Sequence, residues 1–306
     1  MHTLPPRDNF FGYEFHSFDI SDKDAIDKIL RTEPQTLAEY TFACLAAWQW
    51  AHDHSYSIVH DNLLLLQMKI DGKSHLLQPM GTFSSSDQEL LLQRIKSSDY
   101  PIKIARVSDS FLLRYPEFCK NFHAMPEHNL ANYLYRAEDL ASLASGHFEK
   151  KRNLIAQAKQ MYEWEAQEMS AASLAECLNI FEASAESRAS SGGEVVSKEL
   201  VALKYSLDNF DALNLSGLFI YSVGKPVAFS IFESLNSNTA VVHFEKAVRS
   251  YKGLYQVINQ ETAKVLAQRG FTYINREEDL GIPGLRHAKT SYFPVAILSS
   301  YSLSLI

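Results

Sequence analysis

The 306-residue chain has 46% hydrophobic residues and a net charge of −7, so it can bury a sizeable core. The acidic balance excludes a whole-molecule positive field for nucleic acid or anionic membrane, and any basic site must be local. No apolar run approaches the ~18 residues of a membrane span, the N-terminus lacks an apolar signal core, and Cys44, Cys119 and Cys177 have no metal-type spacing, which together predict a cytoplasmic protein.

The length predicts two domains, divided near residue 160. In the first, Phe15–Phe18 reads as a short strand. Ser21, with Asp24 three residues on, is expected to cap a helix whose buried side carries Ile26, Ile29 and Leu30. A richly apolar helix spans Leu37–Ala51. Strands follow at Tyr56–His60, Leu63–Ile70 and His75–Gln78, with Asp71-Gly72 as a hairpin signal. A helix at Asp87–Lys96 and a strand at Ile102–Val107 come next. Tyr133–Tyr135 reads as a strand, and helices at Glu138–Ala144 and His147–Tyr162 lead to the boundary.

The second half repeats the order of elements without repeating the letters. A strand at Met161–Ala166 precedes a helix at Ala171–Glu186, a flexible break over Ser190–Gly193 and a helix at Val195–Asn209. Strands Leu215–Ser222 and Pro226–Ser234 flank the hairpin turn Val223-Gly224-Lys225. Thr239–Glu245 is a third strand. In the next helix Tyr255, Ile258, Thr262, Leu266 and Arg269 form one stripe, and Gly270 ends it. With Phe271–Ile274 this makes a compact strand–helix–strand unit.

The loops of that unit carry more ionisable groups than a connection needs. His243 and Glu245 stand two apart on a strand, so alternation places them on one face. Glu245 has the chemistry of a general base or an ammonium-binding carboxylate. Arg249, Lys252 and Gly253 lie between strand and helix, where free amides and two cations suit an anion. The pattern is neither a Walker loop nor GxGxxG. Asn275, Arg276, Glu277 and Asp279 form a dense polar loop ahead of a Gly/Pro bend, with Arg286 and Lys289 on the following turn. These suit a substrate with an ammonium and an anionic end, or an internal ion network. Lys151 and Arg152 lie in the local basic run of an acidic chain, a place for a donor phosphate. His52, His54, His60 and Asp61 lack the defined ligand set of a zinc site, so no metal is expected.

The segments HFEKAVRSYKGLYQVINQE and YINREEDLGIPGLRHAKTSYFPV resemble the bacterial family related to the C-terminal domain of phosphatidylglycerol lysyltransferase. YLYRAEDLASLASGHFEKKRN is similar to that family's middle motif, departing from it at Asn132, where the family pattern carries an acid. The Thr41-Phe42 helix with Trp48 and the Leu77–Gly81 strand end also resemble it. The resemblance implies an α+β or α/β architecture of two tandem GNAT-like domains. Each is a mixed, mostly antiparallel sheet flanked by helices, residues 1–160 and then 161–306 with the active site. It implies kinship with enzymes that take an aminoacyl group from aminoacyl-tRNA, and does not imply lipid modification. Under it, the third and fourth core strands splay around the acyl group, and Arg249–Gly253 faces the donor. Glu245 and His243 become catalytic residues. Glu277 and Asp279 hold an ammonium group, Arg286 and Lys289 an anionic portion, and Asn259 joins the substrate site.

Three functions compete. The first is aminoacyl transfer from aminoacyl-tRNA to an amine or hydroxyl of a small or peptidyl acceptor. The second is acyl transfer from acyl-CoA to an amine. The third is a non-catalytic module that binds a small molecule on the same fold. None requires a tightly bound cofactor: acyl-CoA or aminoacyl-tRNA would enter as co-substrate, with tRNA as partner in the first case. The oligomeric state is not fixed by the sequence.

Overall fold

The computed structural model describes residues 8–170, 173–185 and 193–306. A hairpin of β1 (Asp8–Phe10) and β2 (Tyr13–Phe15) precedes α1 (Lys23–Leu30) and α2 (Phe42–His52). Strands β3 (Ser55–Val59), β4 (Leu63–Ile70), β5 (Lys73–Leu77) and β6 (Met80–Gly81) follow. Next come α3 (Ser85–Lys96), β7 (Lys103–Ser108), α4 (Asp109–Arg114), α5 (Pro116–Cys119) and β8 (Phe122–Pro126). The chain continues through β9 (Asn132–Arg136), α6 (Ala137–Ser142), α7 (Glu149–Met161), β10 (Glu165–Glu168), α8 (Glu176–Ala185) and α9 (Gly193–Asp208). It then forms β11 (Ser216–Ser222), β12 (Lys225–Ser234), β13 (Thr239–Ala247), α10 (Leu254–Gln268) and β14 (Tyr273–Asn275). The last elements are α11 (Pro283–Thr290), β15 (Ala296–Leu298) and β16 (Ser300–Leu305). The expected break over Ser190–Gly193 lies largely outside the described residues.

Two compact units result. One holds the residues up to Asn132 with Glu278–Ile282 and Ile297–Ile306; the other holds Tyr133–Glu277 and Pro283–Ala296. The split expected near residue 160 falls inside the second unit, at the end of α7. There α6 and α7 contribute Leu140, Ile155 and Ala158 to the same core as Leu254, Val257 and Ile258 of α10.

In the first unit the sheet order is β3-β4-β5-β7-β16-β8, with β6 on β4. The last strand, β16, runs antiparallel to both β7 and β8, so the C-terminus of the chain completes this sheet. Leu63, Leu64, Leu65 and Leu66 in β4 are all buried, and continuous apolar runs of this kind belong to strands covered on both faces. Asp71 and Gly72 have φ of 52° and 73°, the left-handed pair that a tight hairpin between β4 and β5 requires. The helical entry is capped by Asp19 rather than Ser21: Asp19 Oδ1 accepts from Ser21 N at 2.9 Å, while Asp22 accepts from Asp19 N at 3.1 Å. A short tight turn thus comes first, and α1 starts only at Lys23.

The second sheet has the order β10-β11-β12-β13-β14-β9-β15. Strands β10 to β13 are antiparallel neighbours, β13 and β14 are parallel, and β14 is antiparallel to β9. The parallel pair is joined by α10, which buries Val257, Ile258, Thr262 and Leu266. This is the strand–helix–strand unit that the hydrophobic stripe and Gly270 (φ 90°) announce.

Candidate functional site

Strand β13 is nine residues long, yet it pairs with β14 only through Thr239–Val241 against Tyr273–Asn275. Beyond Val241 the strand follows β12 alone, so the two parallel strands part. The chain leaves β14 at a tight turn. Asn275 is fully buried and its Oδ1 accepts from Glu277 N at 2.8 Å, while Glu277 adopts φ of 56°. A non-glycine residue in that region costs of order 1–3 kcal/mol, held here by surrounding structure. The turn sends Arg276 and Glu277 to different partners.

A β-bulge decides the facing of β13. Ile231 pairs with Phe244 and Phe232 with Val242, which leaves His243 as the extra residue. Val242 and Ala247, five apart, therefore lie in the same core cluster with α10. Regular alternation would separate them. Glu245 shares the α10 face, and His243 does not. The expectation that His243 and Glu245 share a face is thus corrected: the inserted residue switches the parity between them.

On the α10 face, Glu245 is the centre of a polar group. Its Oε1 accepts from Arg276 Nη2 at 2.8 Å and its Oε2 from Asn259 Nδ2 at 3.2 Å. The glutamate and arginine side chains are 12% and 15% exposed, so the pair is largely desolvated. The Arg276 guanidinium lies 5.6 Å from the ring centroid of Tyr135 and 5.1 Å from that of Tyr292. Burial pushes both phenols up, so they stay neutral. Arg276 Nη1 and Asn259 Oδ1 are buried and make no hydrogen bond among the described residues. A donor and an acceptor thus flank one carboxylate. Lys151 approaches from α7, its Nζ 4.1 Å from the Tyr292 ring and 2.7 Å from Ser291 Oγ.

On the other face, His243 Nε2 meets Glu233 Oε1 and Nδ1 meets Glu277 Oε1, each at 2.8 Å. The imidazole is 5% exposed. Burial opposes its protonation, but hydrogen bonds to Glu233 and Glu277 outweigh that and push its pKa up to about 10. At neutral pH this is an imidazolium between two carboxylates. It can donate and it can anchor, but it cannot serve as a general base.

The remaining predicted residues divide by what they touch. Lys289 is buried and donates to the Arg276 carbonyl, while Tyr135 OH donates to the Lys289 carbonyl at 2.8 Å. Lys289 therefore fixes the backbone that carries Arg276. Arg286 is exposed on α11. Asp279 belongs to the first unit, is fully buried, and its Oδ1 accepts from Gly281 N at 2.8 Å to close the bend. Arg152 donates to the carbonyls of Leu143 and Ser145 and so caps the end of α6. Arg249 and Lys252 are exposed ahead of α10.

Gly253 has a packing reason. It sits at φ 85°, and a Cβ there would stand 2.5 Å from the Leu154 carbonyl oxygen of α7. Gly253→Ala is expected to cost about 2 kcal/mol or more, read as a lowered melting temperature. Unchanged melting would show that α7 yields at no cost.

Sequence reading missed Glu233, Tyr135, Ser291 and Tyr292. Glu233 ends an apolar strand opposite Val241, and only the pairing register reveals its partner. The aromatic residues lie inside the quoted motifs, yet nothing in spacing distinguishes them from core.

Among the described residues no helix is long and apolar enough to cross a membrane. No curated protein is similar to the chain by sequence. A conserved protein of unknown function from Bacteroides thetaiotaomicron VPI-5482 is 29% identical, with TM-score 0.87 over 96% of this chain and 100% of the other. L-PGS from Bacillus licheniformis superposes with TM-score 0.63 at 13% identity, over 92% of this chain and 91% of the other. An acetyltransferase from the GNAT family of Colwellia psychrerythraea gives TM-score 0.51 at 13% identity, over 96% and 100%. The last two likenesses speak to the fold, a mixed α/β architecture of GNAT-like acyltransferase type with helix-flanked sheets. The model of the family "Phosphatidylglycerol lysyltransferase, C-terminal" matches residues 31–303, so the chain belongs to that family.

Proposed function

We propose that the protein transfers an aminoacyl group from aminoacyl-tRNA to an amine or hydroxyl acceptor. One observation carries this reading: a buried donor, Arg276 Nη1, and a buried acceptor, Asn259 Oδ1, flank Glu245 where β13 and β14 part. An aminoacyl ester offers the complementary pair, a carbonyl oxygen for the guanidinium and an ammonium for the amide oxygen and carboxylate. A simple acyl thioester offers the carbonyl alone.

In this reading the acceptor N–H or O–H attacks the ester carbonyl. Its proton passes to Glu245, directly or through a water. The carbonyl oxygen gains negative charge against Arg276. Collapse breaks the ester C–O bond, and the ribose hydroxyl leaves with the proton from Glu245. Glu277 and Asp279, assigned to the ammonium by resemblance, are held by His243 and by the Gly281 turn instead. Glu245 and Asn259 take that role.

The test is a melting comparison with a 3′-aminoacylamido-adenosine, its N-acetylated form and coenzyme A. A ligand at a hundred times its dissociation constant adds about 2.7 kcal/mol. The aminoacyl compound is expected to stabilise the protein, the N-acetyl form less so, and Asn259→Leu to abolish the difference. Stabilisation by coenzyme A alone, lost in Arg249→Ala, would replace this reading with acyl-CoA transfer through the exposed Arg249–Gly253 loop.

A further inference from the structure

The polar group around Tyr292 is electrostatically unbalanced. Two cations approach its ring, Lys151 at 4.1 Å and Arg276 at 5.1 Å, and one carboxylate, Glu245, pairs with Arg276 alone. Among the described residues the Lys151 ammonium makes one hydrogen bond, to Ser291 Oγ, and Ser291 Oγ is itself a donor to the Ala288 carbonyl at 2.6 Å. The ammonium has three donors. Two remain, beside a neutral hydroxyl and an aromatic face rather than an acid. The next lysine, Lys150, is exposed on the same helix, and Arg152 is spent on the end of α6. Of the three consecutive basic residues, only Lys151 is turned inward to Arg276.

We propose that Lys151, with Arg276 as its neighbouring charge, forms an anion subsite that holds a carboxylate or phosphate group of the acceptor. The binding of the anion stands on the charge imbalance itself; its assignment to the acceptor rests on the aminoacyl-transfer reading. Burial and the positive charge of Arg276 both push the Lys151 pKa down, which is the signature of an ammonium lacking a counter-ion. A bound anion relieves both causes. The subsite stands beside the donor-binding group, because Arg276 belongs to both, so an anionic acceptor would be held within reach of the ester that Glu245 and Asn259 orient.

The experiment is isothermal titration of the full chain at low ionic strength with inorganic phosphate and, separately, with acetate. At least one of the two is expected to bind. In Lys151→Met the dissociation constant should rise about tenfold or more, the loss of one charge-assisted contact. Lys151→Arg, which keeps the charge, and Lys150→Met, which alters only the exposed neighbour, should retain binding. Stronger binding of phosphate would assign the acceptor a phosphate, and stronger binding of acetate a carboxylate. Equal affinity in wild type and Lys151→Met, or no binding of either anion to the wild type, would overturn the subsite. Anion binding that needs Lys151 in a protein that ignores the aminoacyl nucleoside would keep the subsite and discard the aminoacyl reading.

Discussion

Replacing Arg276 with methionine should remove about 3–5 kcal/mol of stability, among the largest single losses available in the second unit. The reason is what stays behind. Glu245 is 12% exposed, and its remaining partner among the described residues is the Asn259 amide at 3.2 Å. A carboxylate in that setting loses its counter-charge without regaining water. Removing both members changes the outcome, because the desolvation cost leaves with the charge. Arg276→Met combined with Glu245→Gln should therefore recover most of the loss, with a coupling between the two sites of 0.5–3 kcal/mol or more. Arg276→Lys should fall between, since an ammonium keeps the charge but not the planar contact with Tyr135 and Tyr292. Urea titrations of the wild type, Arg276→Met, Arg276→Lys, Glu245→Gln and the double variant measure this directly. A single-variant loss below ~1 kcal/mol would mean that the pair behaves as an exposed one, and the buried site described here would be wrong.

How much of this was written in the sequence depends on the range of the interaction. Local signals read well. The strand Leu63–Ile70, the Asp71-Gly72 turn and the α10 stripe ending at Gly270 all depend on residues a few positions apart. Elements without periodicity did not read. The hairpin β1–β2, the short α4 and α5, and the strands β8 and β15 have three to six residues each, too few to show a repeat. β16 is the instructive case. Its alternation is plain in Tyr301-Ser302-Leu303-Ser304-Leu305, but nothing local says that it pairs with β7 and β8, some two hundred residues earlier in the chain. Chain-order reasoning assigns it to the second half, and tertiary pairing places it in the first sheet.

The site obeyed the same rule. Glu245, Asn259 and Arg276 stand out as polar residues in an apolar frame, and a dense polar loop is visible as letters. Their assignment to partners was not visible, because one inserted residue at His243 reverses the facing of everything before it. A bulge has no reliable single-sequence signature. Reading alternation through it put His243 beside Glu245, whereas the imidazole and the carboxylate serve separate groups of partners. Likewise, Lys151 and Arg152 are indistinguishable in a run of basic letters. Only the helix phase separates the residue that faces Tyr292 from the one that caps α6.

That same imidazole carries the second large effect, and it depends on pH. His243 is held protonated by Glu233 and Glu277, with its pKa pushed up to about 10 from an ordinary value near 6.5. Below pH 6.5 the histidine binds a proton in both folded and unfolded chains, and the full stabilisation is present. Between 6.5 and about 10 the folded chain keeps the proton that the unfolded chain has released. Stability must then fall as pH rises, by at most roughly 1.4 kcal/mol per pH unit for one proton. Urea midpoints of the wild type, measured from pH 6 to pH 10, should decline across this window. The His243→Gln variant removes the cation and leaves two carboxylates facing an amide, so it should lose several kcal/mol at pH 6 by the logic of a broken buried pair. Its deficit against the wild type should then shrink as pH rises, because the wild type surrenders the same stabilisation. A deficit that stays constant from pH 6 to pH 10 would show that His243 is neutral in the folded protein, and that Glu233 and Glu277 are held by something other than its charge.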